Sequence, residues 1–335
     1  MSAQIPRVAD PNRPLFSLPV DEGAGAVLAA AAGDVAGSAD PTSYSAITQA
    51  STVIAYHLLT RPGVERDELA QELLELAGGE GGRFTYRAPS EAFEEWLRSA
   101  ARGSPTVSAL ASSEPAARSV PIGVFHRREP DRLVVSAVNA ARITHLDASS
   151  AVAAAAVAGA VAGSCFVQVG GDLVLGAAET ADAAVRMIED EPYRFGDVAA
   201  VRSVPVGLRR LARSATATPE EIVAEARAVF DSVHGVGAAV LGIVLGACKP
   251  AEPIRLIELA AAEGGSAAGA VCGGIVGARS GLVRWPWRVH NDTWFAEIGR
   301  RLVTRHDEIR DLPIPYAVEE RMLMAARTRA SEETI

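Results

Sequence analysis

The side chains that could carry chemistry in this chain are few and scattered. Glu263 to Gly281 reads EGGSAAGAVCGGIVGARSG. Gly264-Gly265 suits a sharp loop or a close backbone approach. The small apolar run after it suits a helix buried on every face, since no polar stripe interrupts it. A loop feeding a buried helix is a good mount for a site, yet the junction carries Ser266, Ala267, Ala268 and Gly269, with no carboxylate, imidazole or thiol. Acid–base chemistry has to come from elsewhere. Asp34, beside Gly33, reads as a cap at a helix break. Asp40, in the loop Ser38–Ser43, reads as a solvated acid. Glu114, in the long polar stretch Gly103–Arg118, reads as exposed, with a pocket acid of raised pKa as the alternative. His145 reads first as a packing and hydrogen-bonding residue and second as a proton carrier. Asp40 or Glu114 paired with His145 is the metal-free acid–base combination left open. Arg118 either pins its loop to carbonyls or meets a phosphate.

No Ser-His-Asp or Cys-His grouping can be assembled. The glycine pairs lack the Gly-Lys-Ser/Thr and the strand–turn–helix setting of a phosphate loop or dinucleotide fingerprint. Cys165, Cys248 and Cys272 are far apart, odd in number and set in apolar runs. They read as small buried hydrophobes in a reducing compartment, not as metal ligands. Trp285 and Trp287 read as aromatic cover at the end of a core, with base stacking as the alternative.

The elements that must hold these residues are helices. The chain has 335 residues, 49% hydrophobic and 22% charged, a globular composition large enough for one big core. The net charge of −9 excludes a phosphate-driven nucleic-acid binder. Residues 1–20 read as an extended, Pro-rich arm without the basic start and apolar centre of a signal peptide, and a cytoplasmic location is expected. Ala148–Gly171 is uncharged and long enough to cross a bilayer, but Ala, Val and Gly insert weakly. With Gly235–Cys248 and Gly264–Ala278 it reads as one of three closely packed core helices, so no membrane association is expected.

Helices are predicted at Asp21–Ala36, broken by Gly33-Asp34 and Gly37, and at Thr48–Thr60, Glu65–Leu76, Pro89–Ala101 and Pro130–Arg142. Asp147 is placed to cap the Ala-rich helix. Further helices are expected at Thr180–Asp190, over Phe195–Arg213 in broken form, and after Thr218-Pro219-Glu220-Glu221, a capping box with Pro at the first position. The last run through Glu252–Glu263, Ala267–Ser280, Thr293–His306 and Ala317–Thr328. The fold class is all-α: a single compact multi-helix domain over 21–330, with no internal repeat.

Several short motifs stand in a telling order. Gly33-Asp34-Val35-Ala36-Gly37 is similar to a Gly-Asp-x-x-Gly motif. Thr48-Gln49-Ala50-Ser51 stands where Thr-Asp-Asp-Thr would precede a helix. Ala116 to Gly123 is similar to Ala-Met-Arg-x-x-Pro-x-Gly. Thr144-His145 precedes the Ala-rich helix, and Gly264 to Gly269 stands in place of Gly-Gly-Asp-Thr-Asp-Thr. In this order the chain resembles the ADP-ribosylglycohydrolase family, including dinitrogen reductase-activating glycohydrolases, from about Gly23 to Val289. The resemblance implies a compact all-α domain with two central Mg²⁺ ions that cleaves glycosidic bonds of ADP-ribose. It also places Asp34, Arg118 and His145 at family positions and Asp40 near an acidic catalytic one.

The departures fall on the metal ligands. Gln49 and Ala50 replace one aspartate pair, and Ser266 and Ala268 the other. Ser51 and Gly269 replace threonines. Gln49, Ser51 and Ser266 offer only neutral oxygens, too little for a hard, strongly hydrated dication, so neither metal nor other cofactor is expected. Three readings follow. The first and preferred is a pseudo-hydrolase whose cleft binds a small-molecule, ADP-ribosyl or nucleotide-like ligand through Asp34, Gln49, Ser51, Arg118 and Ser266. The second is a repurposed metal-independent enzyme using Asp40, Glu114 and His145. The third is a structural protein like the family's lens crystallins. The oligomeric state is left open.

Overall fold

The computed structural model describes residues 19–40, 42–78, 86–166, 169–192, 195, 198, 200–214, 217–230, 235–248, 252–305, 309 and 311–321. The extended arm expected before residue 19 and the end of the last expected helix lie outside them. Among the described residues there is no strand, only one isolated parallel bridge between Ser108 and His145. The all-α expectation holds.

The chain runs through α1 (Pro19–Gly37), α2 (Ala46–Thr60), α3 (Arg66–Ala77), α4 (Glu91–Ala100), α5 (Glu114–Ala117), α6 (Val120–Phe125) and α7 (Pro130–Ala141). It continues with α8 (Ala148–Ser164), α9 (Gly170–Asp190), α10 (Ser203–Ala212), α11 (Pro219–Phe230), α12 (Gly237–Ala247), α13 (Pro253–Ser280) and α14 (Asp292–Thr304). A helical segment at 315–321 closes the described chain. Two sequence-read starts are built as expected. The Asp147 carboxylate accepts the Ser150 amide at 2.9 Å at the head of α8. Thr218 and Glu221 exchange bonds at the head of α11, 2.9 Å from the Thr218 amide to Glu221 and 3.3 Å in return. Each satisfies amides that a helix start leaves orphaned.

The centre of the fold is the antiparallel pair α1 and α13. Gly25, Ala29, Gly33 and Gly37 recur every four residues, and so do Gly265, Gly269, Gly273 and Gly277. A Cβ on Gly33 would stand 1.9 Å from the Gly269 carbonyl oxygen, and one on Gly277 would stand 2.2 Å from that of Gly25. The two backbones touch, which only hydrogen in place of a side chain permits. This corrects the expected break at Gly33-Asp34: α1 runs through it unbroken to Gly37. The loss of about 1 kcal/mol per helical glycine is outweighed by close packing along both helices. The predicted loop at Gly264-Gly265 is a kink inside α13, with Gly265 at φ 64°, ψ −161°, a conformation that suits glycine.

α8 and α12 are buried almost throughout and flank this pair. Among the described helices α13 has the length and apolarity to cross a membrane, but it is kinked and its second half is enclosed by α1 and α12. Two further expectations are revised. The stretch Gly103–Arg118 ends in a short helix from Glu114, and of the broken helix expected from Phe195 the described residues are helical over Ser203–Ala212.

Candidate functional site

The last turn of α1, the head of α2 and the kink of α13 meet around Asp34. Its Oδ2 accepts from the Ser45 amide (2.9 Å), Ser45 Oγ (3.0 Å), the Thr48 amide (3.2 Å) and Thr48 Oγ1 (2.7 Å). Asp34 therefore caps α2 rather than a break in its own helix. Its carbonyl accepts from Ser266 Oγ at 3.1 Å, which ties the kink of α13 to α1. Burial pushes the Asp34 carboxyl above the ordinary aspartate range despite these donors. Its Oδ1 is buried and has no partner.

One turn on, the Gln49 amide is committed at both ends. Oε1 accepts the Arg87 amide at 2.7 Å, and Nε2 donates to Glu319 Oε2 at 3.1 Å. Glu319 lies on the closing segment, 2% exposed. It also accepts Tyr44 Oη at 2.8 Å and pairs with Arg87 Nη1 at 2.6 Å. The Arg87 guanidinium lies 4.4 Å over the Tyr44 ring, and its Nε donates to the Tyr44 carbonyl. Sequence reading missed Glu319 entirely. Its partners lie 270 and 275 residues away, and nothing local distinguishes it from Glu320 beside it. Arg301 holds Asp311 with two bonds of 2.8 and 3.0 Å, and Trp294 Nε1 donates to the Pro313 carbonyl, so the closing segment is clasped along its length.

A second polar chain runs beneath α4 and α5. Glu114 is 5% exposed, which corrects the expectation of an exposed loop acid: Pro115 starts a helical turn that turns the carboxylate inward. Its Oε2 bonds Ser90 Oγ, the residue that caps α4, and its Oε1 is buried without a partner. Arg118, buried one turn later, donates from Nη2 to Thr144 Oγ1 at 2.7 Å and stacks 5.0 Å over Phe93. Thr144 Oγ1 lies 2.9 Å from His145 Nδ1. The Thr144 hydroxyl can accept from Arg118 and still give its own proton to Nδ1, and with that donation the neutral ring carries its proton on Nε2. That atom too is buried and unpartnered. Burial first, then the Arg118 charge, pull the His145 pKa down to about 3.

The other residues singled out from sequence stand apart from this chain. Asp40 is exposed, and its Oδ1 accepts the Thr42 amide at 2.9 Å and Thr42 Oγ1 at 2.6 Å, a local turn that lowers its pKa. Ser51 is half-buried. With Thr48, Thr52, Ala117 and Ala270 it lines a crevice between α1, α2, α5 and α13 that has room for about one water. Trp285 is buried and Trp287 partly so, packed on the core as cover. Among the described residues no three of His, Cys, Asp and Glu gather into a set that could hold a metal.

Comparison with known proteins agrees with this architecture. The family model for ADP-ribosylglycohydrolase matches residues 17–311. A solved structure described as an ADP-ribosylglycohydrolase-related protein complex is similar with a TM-score of 0.52 at 18% identity, covering 86% of this chain and 98% of that one; at that identity the likeness concerns the fold. No curated protein matches the chain.

Proposed function

The chain belongs to the ADP-ribosylglycohydrolase family, and from that premise we propose that it is a non-hydrolytic member: the fold is kept, the dinuclear magnesium centre is given up, and the cleft takes an ADP-ribosyl or nucleotide-like ligand. The observation that carries this reading is the commitment of Gln49. It stands where the family resemblance puts an aspartate ligand, and both ends of its amide are held by Arg87 and Glu319. Ala50 and Ala268 offer no donor atom, and Ser266, whose hydroxyl donates to the Asp34 carbonyl, offers one neutral oxygen in place of a carboxylate. Asp34 Oδ1 is a single carboxylate oxygen. Magnesium demands a near-octahedral set of hard oxygens and gives up water reluctantly, and two adjacent dications demand more negative charge still. These residues do not fit the pair.

The crevice beside Ser51 is too small for a nucleotide as it stands. Ligand entry on this reading requires the closing segment to lift and Glu319 to release Gln49, Tyr44 and Arg87. Weakening that clasp then raises the population of the open form and the apparent affinity with it. The test is calorimetric titration of ADP-ribose into the protein and into its Glu319→Ala variant, each with and without Mg²⁺. The reading expects saturable binding that is indifferent to Mg²⁺ and tighter in the variant. Absence of binding in both proteins would leave a purely structural role, and magnesium-dependent release of ADP-ribose from a conjugate would overturn the proposal. A cytoplasmic setting belongs to the same reading, in keeping with three buried free thiols.

One observation favours a second reading, a metal-independent enzyme. Glu114 Oε1 and His145 Nε2 are both buried and unpartnered, and Arg118, which bonds the Thr144 hydroxyl beside His145, lies in the field of Glu114. Turnover of a glycoside without metal, abolished by His145→Gln, would establish it.

A further inference from the structure

The Glu319 carboxylate fills a set of donors that the closing segment does not itself supply. Tyr44 Oη donates to Oε1 at 2.8 Å, while Arg87 Nη1 and Gln49 Nε2 donate to Oε2 at 2.6 and 3.1 Å. Tyr44 precedes α2, Gln49 lies in its first turn, and Arg87 stands before α4. These three residues fix one another without Glu319. The Arg87 amide donates to Gln49 Oε1 at 2.7 Å, which turns the Gln49 NH₂ towards the carboxylate. Arg87 Nε donates to the Tyr44 carbonyl at 2.9 Å, and the guanidinium stacks on the Tyr44 ring. Asn291 Nδ2 donates to Tyr44 Oη at 3.3 Å, which leaves the phenol proton for the anion.

A guanidinium and two neutral donors, held in place by their own supports and aimed at one point, make a preorganised receptor for an oxyanion. Glu319 fills it incompletely. Arg87 Nη2, which shares the end of the guanidinium with Nη1, is buried and bonds nothing among the described residues. A carboxylate has two oxygens, and other donors take both. A phosphoryl group presents a further oxygen, which can answer Nη2 while the others meet Nη1, Gln49 and Tyr44. The receptor is not sealed from solvent. Arg87 keeps one-fifth of its side chain exposed, and Glu320 and Arg321, which follow Glu319, are exposed. Phe295, a wall of the crevice beside Ser51, meets the Tyr44 ring at 5.3 Å, so the receptor borders that crevice.

We propose that Arg87, Tyr44 and Gln49 form a phosphoryl-binding subsite of the cleft, and that Glu319 is its internal occupant, displaced when ligand binds. The room for the phosphoryl group is the room that the Glu319 carboxylate takes up and leaves as the closing segment lifts. This deepens the function proposed above and rests on it for that lifting. It assigns the phosphate end of a nucleotide-like ligand to Arg87. It also makes the closing segment a competitor built into the chain, which lowers the apparent affinity by the fraction of molecules that are closed.

The experiment compares inorganic phosphate, propionate and chloride at matched ionic strength on the full chain and its Glu319→Ala variant, by thermal unfolding and isothermal calorimetry. Glu319→Ala vacates the subsite. Phosphate should bind that variant at one per chain, about tenfold or more tighter than it binds the parent protein, and tighter than propionate does. Adding Arg87→Lys keeps the charge and loses the fork, so phosphate affinity should fall about tenfold or more. The same comparison separates binding from the general stabilisation that excluded phosphate gives. If Glu319→Ala fails to fold, hydrogen exchange of the parent protein decides, since saturating phosphate should speed exchange of the amides over 312–321. Equal responses to all three salts, a preference for propionate, an affinity unmoved by Arg87→Lys, or in the last case unmoved exchange over 312–321, would overturn the proposal. ADP-ribose takes no part in these measurements, so its failure to bind would count against the wider reading alone.

Discussion

Replacing Glu319 with Ala removes one carboxylate that three partners share: Arg87 Nη1, Gln49 Nε2 and Tyr44 Oη. Breaking a buried ion pair from one side costs about 3–5 kcal/mol. Arg87 retains one-fifth of its side-chain exposure, so water can reach the orphaned guanidinium, and its bond to the Tyr44 carbonyl and its stacking on that ring remain. A cost of about 2–4 kcal/mol is the appropriate range once that screening is included. Unfolding entropy of about 2.1 cal/mol/K per residue gives roughly 0.7 kcal/mol/K for a chain of this length. The expected fall in melting temperature is then about 3–6 °C. Differential scanning calorimetry measures it, and urea unfolding gives the free energy independently. Arg87→Met and the double variant complete a cycle whose coupling should exceed about 1 kcal/mol. A single-variant cost below about 0.5 kcal/mol, the level of an ordinary surface change, would mean that Glu319 does not hold the closing segment, and the clasp over Gln49 would have to be abandoned.

Other outcomes follow from the same structure. Gly33→Ala places a methyl carbon 1.9 Å from the Gly269 carbonyl and should cost about 3 kcal/mol or more, at the upper end of overpacking effects; near-native urea stability would refute the backbone contact between α1 and α13. His145 should keep its neutral Nε2–H tautomer in ¹⁵N NMR from pH 8 down to about pH 4, because its pKa is held at about 3; a titration near the ordinary value of about 6.5 would contradict its burial. Since that folded value lies below the unfolded one, the stability His145 contributes is complete above about pH 6.5 and is lost as pH falls towards 3. Thr218→Ala should cost about 1 kcal/mol by unmaking the exchange with Glu221, and no loss would show that this cap is frayed in solution.

Legibility from sequence varied with the distance over which each feature is determined. Helix starts at Asp147 and Thr218 were readable because a cap is decided within four residues. The course of α1 was misread for a related reason: Gly33 was judged by its local cost, while its benefit lies on α13. The signal was present in two series of small residues at intervals of four, Gly25 to Gly37 and Gly265 to Gly277, which pair only when set antiparallel. Glu114 reads as exposed from its place in the polar stretch Gly103–Arg118, yet Glu-Pro-Ala-Ala is a sound first turn of a helix. The motif order around Asp34, Gln49, Arg118, His145 and Ser266 identified the fold correctly. It gave no hint of Glu319, whose role depends entirely on contacts across the chain.

The central claim concerns the metal, and its most direct measurement is titration of the full chain with Mn²⁺ as a spectroscopic substitute for Mg²⁺, followed by electron paramagnetic resonance, with Mg²⁺ as competitor. The account predicts the signal of free aquo Mn²⁺ throughout the micromolar range and no competition. Two manganese ions bound per chain with a spin-coupled spectrum, displaced by Mg²⁺, would contradict it.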